Sequence, residues 1–84
     1  MNIYKGNSNL KVTWQEPFEE NVPCVKCGAN ARIIFTAVEE SRNEDFVCNL
    51  HENKEEKYWF HDAMACAVYL CEKCFEATAL VNQA

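Results

Sequence analysis

Six cysteines carry most of the chemistry legible in this 84-residue chain. Four of them form two pairs of identical spacing, Cys24-Val25-Lys26-Cys27 and Cys71-Glu72-Lys73-Cys74. Two such pairs supply four soft sulfur ligands, the number and type that one tetrahedral structural zinc ion requires. Pro23 precedes the first pair and Gly28 follows it, and a glycine there lets the backbone take a positive φ while both sulfurs are aimed at one point. The remaining cysteines, Cys48 and Cys66, lie near His51 and His61 and can be written as a second metal site, Cys-x-x-His followed by His-x4-Cys. Strand geometry opposes it. In a strand over residues 46–51, Cys48 points into the core with Phe46 and Leu50 while His51 points away, so Cys48 and Cys66 are expected as buried small hydrophobes.

The first pair with Pro23 and Gly28 resembles the zinc knuckle of zinc-ribbon and treble-clef proteins. After the second pair the apolar positions Cys74, Ala77, Leu80 or Val81, and Ala84 fall at helical spacing. That period fits the treble-clef version, in which the last two ligands sit on the first turn of a helix, where the helix dipole favours thiolates. The resulting expectation is an α+β fold, a small zinc-stabilised antiparallel sheet with a C-terminal helix, binding one zinc per chain. The alternative is a zinc ribbon, with a strand after Cys74. The ligand type also resembles rubredoxin, which holds a single iron for electron transfer, but Phe75 follows Cys74 where that family has a second glycine.

The elements that must position these ligands leave readable traces. Residues 31–38, Ala-Arg-Ile-Ile-Phe-Thr-Ala-Val, are rich in β-branched and aromatic side chains with both faces largely apolar, as in a central strand. Leu10, Val12 and Trp14 alternate with polar residues as a strand that could pair with Ile3 to Lys5 across the turn at residues 6–9. Further strands are expected at residues 46–51, 58–60 and 66–70, although the alanine-rich run before Leu70 also suits a helix. No linker or repeat divides the chain, so it reads as one domain over residues 1–84, with 1–22 an N-terminal strand extension and 23–84 the zinc unit. The 43 residues between Cys27 and Cys71 leave room for a sheet between the two halves of the site.

Composition narrows the function. The longest apolar stretch is far shorter than a membrane span and no signal-peptide segment opens the chain, which points to a cytoplasmic protein and to metal-bound or free thiols in place of disulfides. The formal charge is −5, and a zinc tetrathiolate makes the folded protein more acidic still, which repels phosphate backbones. Only Gly6 and Gly28 occur, too few for a phosphate-binding loop, and neither Ser8 nor Ser41 has a nucleophile motif around it. A non-catalytic zinc module that contacts another protein, as a monomer or homodimer, is therefore the leading expectation, with one of the aromatics at residues 58–60 as a candidate anchor. The rivals are a nucleic-acid-binding or transcription-accessory zinc finger, for which Lys5, Lys11, Lys26, Arg32 and Lys73 would have to converge, and a thiol enzyme using Cys48 or Cys66.

Overall fold

The computed structural model describes residues 2–12, 16–39 and 64–83. Its elements are five strands: β1 (Asn2–Lys5), β2 (Asn21–Pro23), β3 (Asn30–Val38), β4 (Met64–Cys71) and β5 (Ala77–Gln83). They form one antiparallel sheet in which β3 pairs with β4 and β4 with β5, while β1 and β2 share the other edge of β3. That edge is used along its whole length. β2 covers Asn30 to Arg32, the Glu20 carbonyl accepts from the Ile33 N–H at 2.9 Å, Gly6 donates to the Ile34 carbonyl at 2.7 Å, and β1 covers Phe35 to Val38. The register against β4 shifts by one residue between Ile33 and Phe35, so Ile34 is the extra residue of a bulge and is exposed.

The central strand expected at residues 31–38 is β3, and the apolar run ending near Leu70 is a strand, not a helix. The C-terminal helix is not present: among the described residues there is no helix, and residues 77–83 are β5, so the α+β fold with a treble-clef helix is replaced by a sheet alone. The apolar residues Ala77, Ala79, Leu80 and Val81 are dense enough to satisfy either period, so packing decides. Phe75 turns the chain at φ 61°, the Cys71 N–H bonds the Glu76 carbonyl across that turn, and the open edge of β4 then takes up residues 77–83 as a ladder. A helix of that length is marginal by itself, whereas the strand satisfies its backbone along an existing edge.

The expected pairing of residues 10–14 with β1 is also corrected. Leu10 and Val12 belong to no strand; they pack with Phe18 and Val22 over the inner face of the sheet, and β1 pairs with β3 instead. Trp14, the strands at 46–51 and 58–60, and Cys48, His51 and His61 lie outside the described residues.

The core sits on that inner face, where Ala31, Ile33 and Val38 of β3 meet Ala65, Ala67, Tyr69 and Cys71 of β4. Only Phe18, Ile33, Val38 and Tyr69 among the nine buried hydrophobics of the described residues are large, the others being alanines and cysteines. At about 1.5–3 kcal/mol for each large side chain, such a core leaves little margin after conformational entropy, and a staple is needed. Two polar contacts fasten its rim. The Tyr69 hydroxyl donates to the Glu19 carbonyl at 2.6 Å, and the buried Glu39 carboxylate accepts from the Met64 N–H at 3.0 Å, pinning the start of β4.

Burial, and then the charge of Glu19, push the Tyr69 phenol above its ordinary 10.0. A group whose folded pKa is raised holds its share of stability below the unfolded pKa and loses it as pH rises. The contribution of Tyr69 to thermal stability should therefore be independent of pH around neutrality and fall away above about pH 10. Tyr69→Phe should cost about 1 kcal/mol at pH 7 for the lost hydrogen bond and should flatten the alkaline loss, as measured by circular dichroism melts across pH.

Candidate metal centre

Each cysteine pair is the turn of a β-hairpin. The first joins β2 to β3 and the second joins β4 to β5. Because β3 begins at the first turn, β4 ends at the second, and the two run antiparallel with Ala31 opposite Cys71, both turns arrive at the same end of the sheet. The Glu72 N–H bonds the Asn30 carbonyl at 3.2 Å, and the Val25 N–H donates to the buried Thr78 hydroxyl at 3.0 Å, so each turn is tied to the opposite hairpin.

The two turns repeat one another bond for bond. In the first, the Cys24 N–H reaches the Ala29 carbonyl and the Gly28 N–H returns to the Cys24 carbonyl; in the second, Cys71 reaches Glu76 and Phe75 returns to Cys71. In each, two backbone N–H groups point at the first sulfur: Lys26 and Cys27 at Cys24 Sγ, 3.3 and 3.5 Å, and Lys73 and Cys74 at Cys71 Sγ, both 3.4 Å. The residue after the second cysteine has positive φ in both, 75° at Gly28 and 61° at Phe75. For Phe this left-handed conformation is strained by roughly 1–2 kcal/mol.

All four sulfurs lie within 4.8 Å of one another. Between the two hairpins, Cys24 Sγ lies 3.6 Å from Cys74 Sγ and Cys27 Sγ lies 3.5 Å from Cys71 Sγ. A disulfide needs about 2.05 Å, whereas zinc–sulfur bonds of about 2.3 Å give a tetrahedral edge of roughly 3.8 Å, close to these separations. The four cysteines picked from sequence spacing are thus the four that the fold brings together, and they can hold one metal ion. Cys24 and Cys71 are buried while Cys27 and Cys74 are exposed, so the site sits at the surface with its first sulfurs turned inward.

Electrostatics prepares the cluster for a cation. The Cys27 N–H, with that of Lys26, holds the Cys24 thiol below its usual pKa against the opposing effect of burial. The Cys74 and Lys73 N–H groups take Cys71 down to about 6. Cys74 goes the other way, to about 12: the Glu76 N–H pulls it down, but desolvation and the neighbouring sulfurs Cys27, Cys71 and Cys24 outweigh that pull. Crowding of thiolates is what a bound dication relieves, so metal uptake drives the last protons off.

Cys66 is placed apart from this cluster, on β4 opposite Ala37 and Val81, half-buried on the outer face. Burial raises its thiol pKa, as expected of a packed rather than a reactive cysteine. Sequence reasoning missed Thr78, whose hydroxyl anchors the first turn; the only signal was a polar residue within an apolar run. It also missed the surface pairs Lys26–Glu76 and Arg32–Glu72, which join the two hairpins at 4.0 and 3.6 Å and, being exposed, contribute little energy.

No protein family, curated protein or solved structure matches this chain.

The repeat between the turns gives opposite expectations for their two positive-φ positions. No atom crowds a side chain added at Gly28, so Gly28→Ala bears only the backbone penalty and should destabilise the metal-bound protein by about 1 kcal/mol. Phe75→Gly should stabilise it by up to about 1 kcal/mol through relief of the same strain, less the greater freedom of glycine when unfolded. Paired chemical denaturations of the metal-bound variants check both signs.

Proposed function

We propose that the chain is a non-catalytic module, held by one zinc ion on Cys24, Cys27, Cys71 and Cys74, that works by contacting another protein. The observation that carries this reading is the convergence of four cysteine sulfurs within 4.8 Å, with no other metal-ligating side chain in the cluster among the described residues. Four thiolates close the coordination shell, whereas a catalytic zinc keeps a position open for water or substrate. Two knuckles, each the turn of an antiparallel hairpin, support a site of the zinc-ribbon type. A helix terminus is not needed: backbone N–H groups of the turns themselves stabilise the first thiolate of each pair.

The protein-contact half of the reading is supported at the tips of the knuckles. Val25 and Phe75 are 72% and 73% exposed, and Phe75 holds a large aromatic ring in water at a backbone position that would be less strained as glycine. Strain kept for an exposed aromatic is explained by a use for that ring outside the chain, and a buried aromatic anchor is the commonest source of interface energy. A nucleic-acid role finds less support. Lys26 and Arg32, two of the cations that would have to converge, each lie beside a carboxylate, Glu76 and Glu72, on a chain of net charge −5.

Native mass spectrometry of protein purified without added metal should show a single zinc per chain. Chelation under reducing conditions should then collapse the dispersed NMR spectrum, because structural zinc supplies an apparent ~10–16 kcal/mol, more than the margin of this core. Iron in its place would move the reading to electron transfer, two zincs would bring in Cys48, His51, His61 and Cys66, and a metal-free, fully folded chain would overturn it.

A further inference from the structure

The four sulfurs of the metal centre form two contacts that each cross from one hairpin to the other. Cys27 Sγ lies 3.5 Å from Cys71 Sγ, and Cys74 Sγ lies 3.6 Å from Cys24 Sγ. Each contact joins an exposed cysteine, Cys27 or Cys74, to a buried one on the opposite hairpin, Cys71 or Cys24. An oxidant arriving from solvent therefore meets Cys27 or Cys74 first, with a second sulfur already behind it. Sulfur that holds a metal is thiolate, the form that peroxides oxidise.

The backbone keeps these partners together through bonds in which no sulfur takes part. The Glu72 N–H donates to the Asn30 carbonyl at 3.2 Å, the Val25 N–H donates to the Thr78 hydroxyl at 3.0 Å, and the β3–β4 ladder runs up to Ala31 opposite Cys71. A disulfide of about 2.05 Å requires each contact to close by roughly 1.5 Å, a distance that rotation of the exposed cysteine side chain can supply. The cross-hairpin partners stand 44 and 50 positions apart in the chain, and cross-links that close long loops are the ones that most restrict the unfolded state. A bond within either Cys-x-x-Cys pair closes a ring of four residues and links nothing to the other hairpin.

We propose that a peroxide-class oxidant converts the centre into two disulfides between the hairpins, Cys27–Cys71 and Cys24–Cys74, so that the module gives up its zinc and keeps its frame. At each contact the exposed thiolate attacks one peroxide oxygen and expels hydroxide, leaving a sulfenic acid. The buried thiolate then attacks that sulfur, the S–S bond forms and a second hydroxide leaves. Each contact gives up two electrons and reduces one peroxide to two hydroxides, so two peroxides consume the four thiolates and free one zinc ion. The inference rests on reading these cysteines as the holders of one zinc ion, and it adds a redox response to that same site.

The test treats zinc-loaded protein, its metal content fixed beforehand by native mass spectrometry, with hydrogen peroxide, blocks remaining thiols with N-ethylmaleimide and digests without reduction. Lys26 and Lys73 stand inside the two pairs, so trypsin places the four cysteines on four different peptides. The expected cross-links join residues 27–32 to 58–73 and residues 12–26 to 74–84. Cys66 shares a peptide with Cys71; fragmentation between them in the wild-type chain, and a Cys48→Ser, Cys66→Ser variant, make the assignment. One zinc should reach a chromogenic chelator for every two peroxides consumed. The oxidised protein should keep a dispersed NMR spectrum in the presence of a chelator, unlike the reduced protein, and dithiothreitol with zinc should restore the starting form. Disulfides within a pair, wild-type cross-links to Cys48 or Cys66, sulfinic acids without disulfides, a collapsed spectrum on oxidation, or zinc retained at millimolar peroxide would each overturn the proposal. A sample purified without zinc would fail the module reading itself, whereas a zinc-loaded sample giving any of those results would fail this inference alone.

Discussion

Antiparallel pairing of β3 with β4 sets Ala31 opposite Cys71, and the metal end of the molecule follows from that register. Two cysteine pairs separated by 43 residues become one cluster because one pair leads into β3 and the other ends β4. A slip of one residue would turn Cys71 to the outer face together with Ala65, Ala67 and Tyr69, breaking the core and the site at once. Site and core are therefore one cooperative unit, and Cys24 and Cys71 are counted in both.

The division of labour within the knuckles is chemical as well as geometric. Backbone N–H groups turned toward Cys24 and Cys71 favour their thiolates, while Cys74 meets three neighbouring sulfurs and resists ionisation. A cation settles that conflict by neutralising charge that the turns alone cannot carry. The small core is a reason for such a clasp: alanines at positions 31, 65 and 67 allow Leu10, Val12, Phe18 and Val22 to lie close on the sheet but bury little area. Closing a long loop with a metal clasp offsets chain entropy that so few large side chains cannot.

The knuckles expose Val25 and Phe75, with Phe75 held at a strained φ. Both side chains lie outside the buried core, so either can change without loss of its packing. A metal ion on the four sulfurs would fix the turns that present these side chains.

The four clustered cysteines were legible in the sequence as candidate ligands because Cys-x-x-Cys is a local pattern whose chemistry needs no knowledge of the fold, and Gly28 marked the turn that follows the first pair. The central strand was legible at residues 31–38 because β-branched and aromatic side chains state their preference over a run that long. What followed Cys74 was not. Ala77, Ala79, Leu80 and Val81 fit a helix or a strand equally, and the choice was made by an edge of β4 that exists only once β3 and β4 have paired. Likewise Leu10 and Val12 alternate as a strand would, yet the outer edge of β3 is already taken by β1 and β2, so they serve as cover for the core. Ligand identity is a property of residue type and short spacing, which sequence records; the partner of a strand edge is a property of what else has folded nearby, which only the tertiary structure decides.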